Sequence, residues 1–200
     1  MSLLTYISKK FGSGSKSPVN PGISRSRLES NRWLQARCAG IEGHVLSIGS
    51  GDDRDGLGGF YRNYFAKAAS YTTSEVSDDL PCDLVLDIRS MPELENDSFD
   101  CVYCSGVLEH VDRYLDGLDE ITRVLKTDGV LLLGLPFRQG LHMAPMDFWR
   151  FTEFGIRHML QETYQVISID PIDEETPGFP AAYWTEARKL PPGSSGPPGQ

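Results

Sequence analysis

Two hundred residues are enough to bury one good core, and they fit a single domain with loosely held ends. A formal net charge of −9 argues against a general nucleic-acid binder, which would be basic. No apolar stretch is long enough to span a bilayer and the first residues lack a signal-peptide core, so no membrane partner is expected and a cytoplasmic protein is the default.

The charge is uneven. Residues 1–40 hold seven Lys or Arg against Glu29 alone, a surplus of +6 beside −15 in the remainder. Residues 1–26 read as a basic arm, and 8–24, rich in Ser, Gly, Lys and Pro, as a mobile linker. The arm is either solvated or a lid drawn to an anionic substrate; Arg25 and Arg27 carry the second reading.

Arg27 to Ala39 is helix-competent, with Leu28, Trp33, Leu34 and Cys38 able to share a face, and Gly40 and Gly43 punctuate its end. His44 to Ile48 is a short apolar run between Gly43 and Gly49, which predicts a buried strand. It breaks into Gly49-Ser50-Gly51, a turn whose side-chain-free positions let a ligand lie against the backbone. Asp52 to Gly59 is charged and glycine-rich, a poor helix start, so the next helix is expected to be short or delayed, near Phe60 to Lys67.

Ser70 to Val76 predicts a second strand, Leu84 to Leu86 a third ending at Asp87, and Phe99 to Cys104 a fourth ending at Ser105-Gly106. Cys101 and Cys104 form Cys-x-x-Cys, but positions three apart on a strand face opposite ways, so structural thiols are expected rather than a redox pair or zinc site. Asp112 to Lys126 predicts an amphipathic helix on Leu115, Leu118, Ile121, Val124 and Leu125, stopped by Gly129. Val130 to Leu135 has the continuous apolar pattern of a strand buried on both faces. Thr152 can cap a helix through Leu160; Tyr164 to Asp170 and Ala181 to Ala187 are late strands, and residues 190–200 are a tail.

Alternating strands and helices predict a parallel α/β sheet that binds ligands at the carboxyl ends of its strands. Glu75, 26 residues after Gly49, suits a ribose diol because a carboxylate accepts two hydroxyl hydrogen bonds. Asp87 can accept from the exocyclic amine of a base. Either acid could instead be an ordinary loop carboxylate.

The run Asp87-Ile88-Arg89 through Met91-Pro92, then Asp97-Ser98-Phe99-Asp100-Cys101-Val102, then Val107-Leu108-Glu109-His110-Val111 resembles the central block of the S-adenosylmethionine-dependent methyltransferases with a Rossmann-like fold. Leu125-Lys126-Thr127-Asp128-Gly129-Val130 is similar to that family's turn into its fifth strand. The resemblance covers residues 44–170 and extends toward Lys189, within a domain expected over 27–189. It implies a seven-stranded, mostly parallel sheet with an antiparallel last strand at Ala182 to Lys189 and helices on both faces. It further implies that Gly49, Ser50 and Gly51 pass close to the methionine part of S-adenosylmethionine, Glu75 holds the ribose, Asp87 and Ile88 bracket the adenine, and Ser105 and Gly106 line the methyl side. Two positions depart from the pattern: Ser47 stands where the strand usually carries an acid, and Asp53 where the turn has its third glycine.

Pro136 to Thr152 resembles a stretch of the small-molecule members of the same family. There His142 is the candidate base or acceptor-orienting group, since its unshifted pKa lies near neutrality; a loop histidine bonded to backbone is the competing reading. His110 is expected to serve a helix start, Asp147 and Arg150 to pair across the bend, and Phe148, Trp149 and Phe151 to be core, with room for one ring to line the acceptor pocket. No metal-ligand cluster is visible in the spacing, and the sequence does not set the oligomeric state. The expected function is methyl transfer to a small-molecule or glycan-type acceptor, and the basic arm points to an anionic one. The competing functions are a dinucleotide oxidoreductase using Gly49, Gly51 and Glu75, and a cofactor-binding scaffold without turnover.

Overall fold

The computed structural model describes residues 23–194. The expected linker therefore lies mostly outside the described residues, as does the tail beyond 194.

Helix α1 spans Arg25–Cys38 and starts two residues earlier than its apolar pattern indicates. The reason is Ser24, whose hydroxyl accepts from the Arg27 amide at 3.1 Å and so fixes the helix start. Strand β1 is Gly43–Ile48, β2 Ala68–Glu75, β3 Leu84–Val85 and β4 Phe99–Ser105. Helix α2 is Tyr114–Val124, β5 Leu125–Pro136, α3 Glu153–Leu160, β6 Tyr164–Ile172 and β7 Ala182–Lys189. Between β1 and β2 the delayed helix is only a 3-10 turn, Tyr61–Tyr64.

The seven strands form one sheet in the order β3-β2-β1-β4-β5-β7-β6. Strands β1 to β5 pair in parallel, and β7 runs antiparallel to both β5 and β6. Alternate residues of each strand feed two cores. Leu46, Val102, Leu131 and Leu133 pack under α2 and α3, while Val45, Cys101, Tyr103 and Leu132 pack under α1. Cys101 and Cys104 fall in opposite cores, both buried and free. Fully burying each such leucine contributes about 1.5–3 kcal/mol, which makes these strands the rigid frame for the loops at their ends.

Two expectations about α2 change. Leu115 is exposed, and the apolar stripe comprises Leu118, Ile121 and Val124. The helix ends at Val124, before Gly129, because Leu125 already pairs with Phe99. Cys101 pairs with Val130, so Lys126 to Gly129 bulges out of the ladder, with Asp128 at φ 63° and the Lys126 ammonium bound to Asp100 at 2.8 Å. Gly129 serves the bulge: a Cβ there would lie 2.8 Å from the Lys126 carbonyl oxygen.

Candidate functional site

The carboxyl ends of β1, β2 and β4 open onto a cavity of about 450 Å³. Its walls include Gly49, Glu75, Asp87, Ile88, Gly106, Val107 and Phe148. Beside it, over the ends of β4 and β5, lies a second chamber of about 670 Å³ that reaches Ser50, Ser105, Glu109, His142 and three arginines, Arg27, Arg54 and Arg138. Gly49, Gly106 and His110 line both, so the two spaces meet over bare backbone at two glycines.

That meeting point is built by sequence. Gly49 has φ +65°, and a Cβ there would stand 2.3 Å from a Val107 methyl. Any other residue would be strained and would push Val107 into the first cavity. The turn is tied to β2: the Ser50 hydroxyl donates to the Ser74 carbonyl at 3.1 Å, and the Ser74 amide donates back at 3.0 Å. Ser50 thus acts through its backbone position, with its hydroxyl committed to the frame. Gly51 lines neither cavity; its amide donates to the Glu75 carboxylate and aims it.

Burial raises the Glu75 pKa, opposed by that Gly51 amide. A half-buried carboxylate on the cavity wall is the group a ribose diol needs. Ile88 is buried against α2, with Gly117 giving it room, and presents an apolar wall. Asp87 borders the cavity, but Arg89 holds both its oxygens at 2.6–3.2 Å and lowers its pKa. Its capacity for a base amine is therefore shared with Arg89, which also borders the cavity.

Of the two departures from the usual pattern, one braces a loop and the other lies inside a strand. Asp53, at φ 59° and buried, accepts from Tyr71 Oη at 3.0 Å and Arg62 Nε at 2.6 Å, and so braces the loop after β1. Ser47 is buried within β1 and lines neither cavity.

Residues 142–151 form a strap that borders the second chamber at His142 and Met143 and the first cavity at Met143, Met146 and Phe148. Asp147 and Arg150 pair as expected, at 2.6 and 2.8 Å, and Arg150 also donates to the Gln139 and Gly140 carbonyls. Arg150 holds the Asp147 carboxyl well below the usual carboxylate range. Asp147 in turn accepts from the His142 amide at 2.8 Å. The amides of Phe148 and Trp149 donate to the Glu109 carbonyl, at 2.9 and 3.2 Å. Of the three aromatic residues expected in the core, only Phe151 is buried. Phe148 lines the first cavity, and Trp149 lies partly exposed against Tyr114, its indole N–H donating to the Val111 carbonyl.

His142 borders the second chamber, with Nδ1 3.1 Å from the Gly140 carbonyl. His110 sits on the 3-10 turn Leu108–His110 and does more than start a helix: it borders both cavities and packs edge-on to His142, ring centroids 4.7 Å apart. Desolvation lowers its pKa, which favours the neutral ring. Glu109 is a candidate site residue that the spacing alone does not single out. It is buried, desolvation pushes its pKa up to about 7, and its Oε2 has no hydrogen-bond partner. Only the pairing of β4 with β5 brings it to His142.

Residues 59–133 match the family model described as "Methyltransferase domain". No curated protein sequence matches the chain significantly. Among solved structures, the fold resembles the Burkholderia thailandensis 1,6-didemethyltoxoflavin-N1-methyltransferase, determined with its substrate and S-adenosylhomocysteine bound. The two share 17% identity at a TM-score of 0.63, covering 89% of this chain and 94% of that one. An S-adenosylmethionine-dependent methyltransferase from Aquifex aeolicus aligns at 15% identity and a TM-score of 0.60, over 86% and 94%. A chain of the complex between the Haloferax volcanii Trm112 methyltransferase activator and a methyltransferase aligns at 16% and 0.64, over 82% and 91%.

At such identities these likenesses establish the fold, and the domain match covers residues 59–133 of the chain. The antiparallel β7 between β5 and β6 also departs from the 3-2-1-4-5-6 order of dinucleotide oxidoreductases, which removes the main support for that reading.

Proposed function

We propose that this chain, a Rossmann-like methyltransferase by domain and fold, transfers the methyl group of S-adenosylmethionine to a small anionic acceptor. The observation that carries the reading is the junction of the two cavities over Gly49 and Gly106. The first has the half-buried carboxylate, the apolar Ile88 wall and the side-chain-free turn that a nucleoside with an amino-acid tail requires. S-adenosylmethionine supplies an activated methyl, so the protein's task is mainly to position the acceptor.

Glu75 would accept from the ribose hydroxyls, with Gly51 holding it in place. Gly49 and Gly106 would let the reacting atoms approach the backbone, and Ser105 would line the methyl side. Asp87 and Ile88 would flank the base. In the second chamber Arg27, Arg54 and Arg138 would hold a phosphate or carboxylate of the acceptor. All three have protein partners, Tyr61 for Arg27, Asp52 for Arg54 at 3.1 Å and the Phe179 and Asp173 carbonyls for Arg138, but they line the chamber. Arg25, engaged by Glu29 at 2.6 Å and Asp173 at 3.6 Å, does not. His142 would orient the acceptor or take its proton, its Nδ1 turned to the Gly140 carbonyl and its Nε2 left for the guest.

The test is a screen of small anionic acceptors, glycan phosphates and carboxylates included, that reads release of S-adenosylhomocysteine. Turnover with an anionic acceptor and not with its neutral analogue supports the proposal. Turnover indifferent to that charge overturns the anionic assignment.

A further inference from the structure

Glu109 poses a problem that the methyl-transfer reading leaves unsolved. Its side chain is 3% exposed, and among the described residues its Oε2 is the only buried carboxylate oxygen without a hydrogen-bond partner. A buried carboxyl in that state needs a proton or a cation. Its Oε1 stands 3.8 Å from His110 Nε2, too far for a hydrogen bond.

Both neighbouring imidazoles are set to offer a lone pair. His110 Nδ1 lies 2.7 Å from the Met146 carbonyl oxygen, an acceptor, so that nitrogen carries the proton and Nε2 is bare. His142 Nδ1 faces two acceptors, the Gly140 carbonyl at 3.1 Å and Asp147 Oδ2 at 3.4 Å, so its Nε2 is bare as well. Arg150 Nη2 also lies 3.4 Å from His142 Nδ1, but its two hydrogens are taken by the closer Asp147 Oδ2 at 2.8 Å and Gly140 carbonyl at 3.1 Å. A ring nitrogen fixed by a backbone carbonyl or carboxylate, with the other nitrogen free, is how proteins orient histidine ligands to metals. One donor atom from each of Glu109, His110 and His142 lies within 4.8 Å of the others.

We propose that Glu109, His110 and His142 hold one divalent transition-metal ion, with zinc best suited, at the wall of the acceptor chamber. Two imidazoles and a carboxylate match zinc rather than magnesium, which prefers oxygen ligands alone. Three protein ligands leave a fourth position, and the chamber supplies the space for an acceptor oxygen or nitrogen to take it. Bonds of about 2 Å place tetrahedral ligands about 3.3 Å apart, so the ion draws the three groups slightly inward. The acceptor-binding role rests on the methyl-transfer reading; the metal site itself does not, and with the ion bound His142 orients the acceptor through the metal and takes no proton.

The test strips the full-length protein with chelator, then titrates it with zinc by calorimetry and with cobalt(II) by visible absorption. His142→Ala, Glu109→Gln and, as a control away from the cluster, His158→Ala are measured alongside. The expected result is one zinc per chain and intense cobalt bands of a four- or five-coordinate site. His142→Ala and Glu109→Gln should each weaken zinc by more than about 100-fold, beyond the roughly 10- to 100-fold that loss of an outer partner costs, and bleach the cobalt bands; His158→Ala should do neither. Melting curves in chelator identify any variant that fails to fold, and His142→Gln replaces His142→Ala in that case. No zinc binding by the wild type, or binding that neither cluster substitution weakens, overturns the proposal and leaves Glu109 protonated. S-adenosylhomocysteine binding, measured on the same samples, reports separately on the methyl-transfer reading.

Discussion

Removing the Glu75 carboxylate tests the nucleoside end of the first cavity. In the structure one oxygen accepts from the Gly51 amide, and the remaining lone pairs are available to a diol. A hydrogen bond to a charged group nets about 1.5–3 kcal/mol. Two such bonds at a half-buried wall, discounted for solvent, come to about 2–3 kcal/mol, or about 30- to 150-fold in affinity. Glu75→Ala is therefore expected to weaken S-adenosylhomocysteine binding by that factor in calorimetry. Glu75→Gln keeps an oxygen for Gly51 but loses the charge, and should fall between the wild type and Glu75→Ala. Because burial raises the Glu75 pKa, wild-type affinity should begin to fall at a less acidic pH than the ordinary glutamate value of about 4.3. The slope should be absent in Glu75→Gln. Unchanged affinity in both variants, with unchanged melting temperatures, would refute the ribose assignment.

Gly49→Ala should destabilise the fold by at least the roughly 1–2 kcal/mol of a left-handed residue, read by urea unfolding, and Val107→Ala in the same chain should recover the contact part but not the backbone part. Arg54→Glu is expected to raise the acceptor KM about tenfold, as for loss of a charge pair of about 1.4 kcal/mol, and to leave S-adenosylhomocysteine affinity alone; Arg25→Glu, outside the chamber, should change neither in the same steady-state and calorimetric measurements. Glu120 accepts from the Met91 amide and from Arg123, which also ties down the Leu94 carbonyl, so Glu120→Gln should cost about 1–3 kcal/mol in urea. The Arg123 hydrogen bond lowers the Glu120 pKa, so its contribution is present above the ordinary glutamate value and disappears as pH falls through the lowered one. The wild-type advantage over Glu120→Gln should close in acid.

The first cavity was legible in the sequence because its parts end strands. Gly49, Glu75, Asp87, Ile88 and Gly106 each end or follow a predicted strand, and the ends of parallel strands share one edge. What pattern alone could not give was competition at each position. Leu125 looks like the last member of a helical stripe, yet it pairs with Phe99 and begins β5, so the helix ends before Gly129. Arg89 takes the Asp87 oxygens through a two-residue contact that residue type does not reveal. The second chamber was less legible. Glu109 lies inside a block that reads as a family signature, and His142 lies on a loop after the next strand. Their proximity depends on the neighbouring order of β4 and β5, and the strap's hydrogen bonds to the Glu109 carbonyl complete it.

The account's central claim is that the carboxyl-edge cavity holds an adenosyl amino acid. Calorimetry of the wild-type chain with S-adenosylhomocysteine, and in parallel with NAD, tests it most directly. Saturable one-to-one binding of the former, with no detectable heat from the latter, is the predicted result. Binding of NAD in its place, or of neither ligand by a folded chain, would contradict the account.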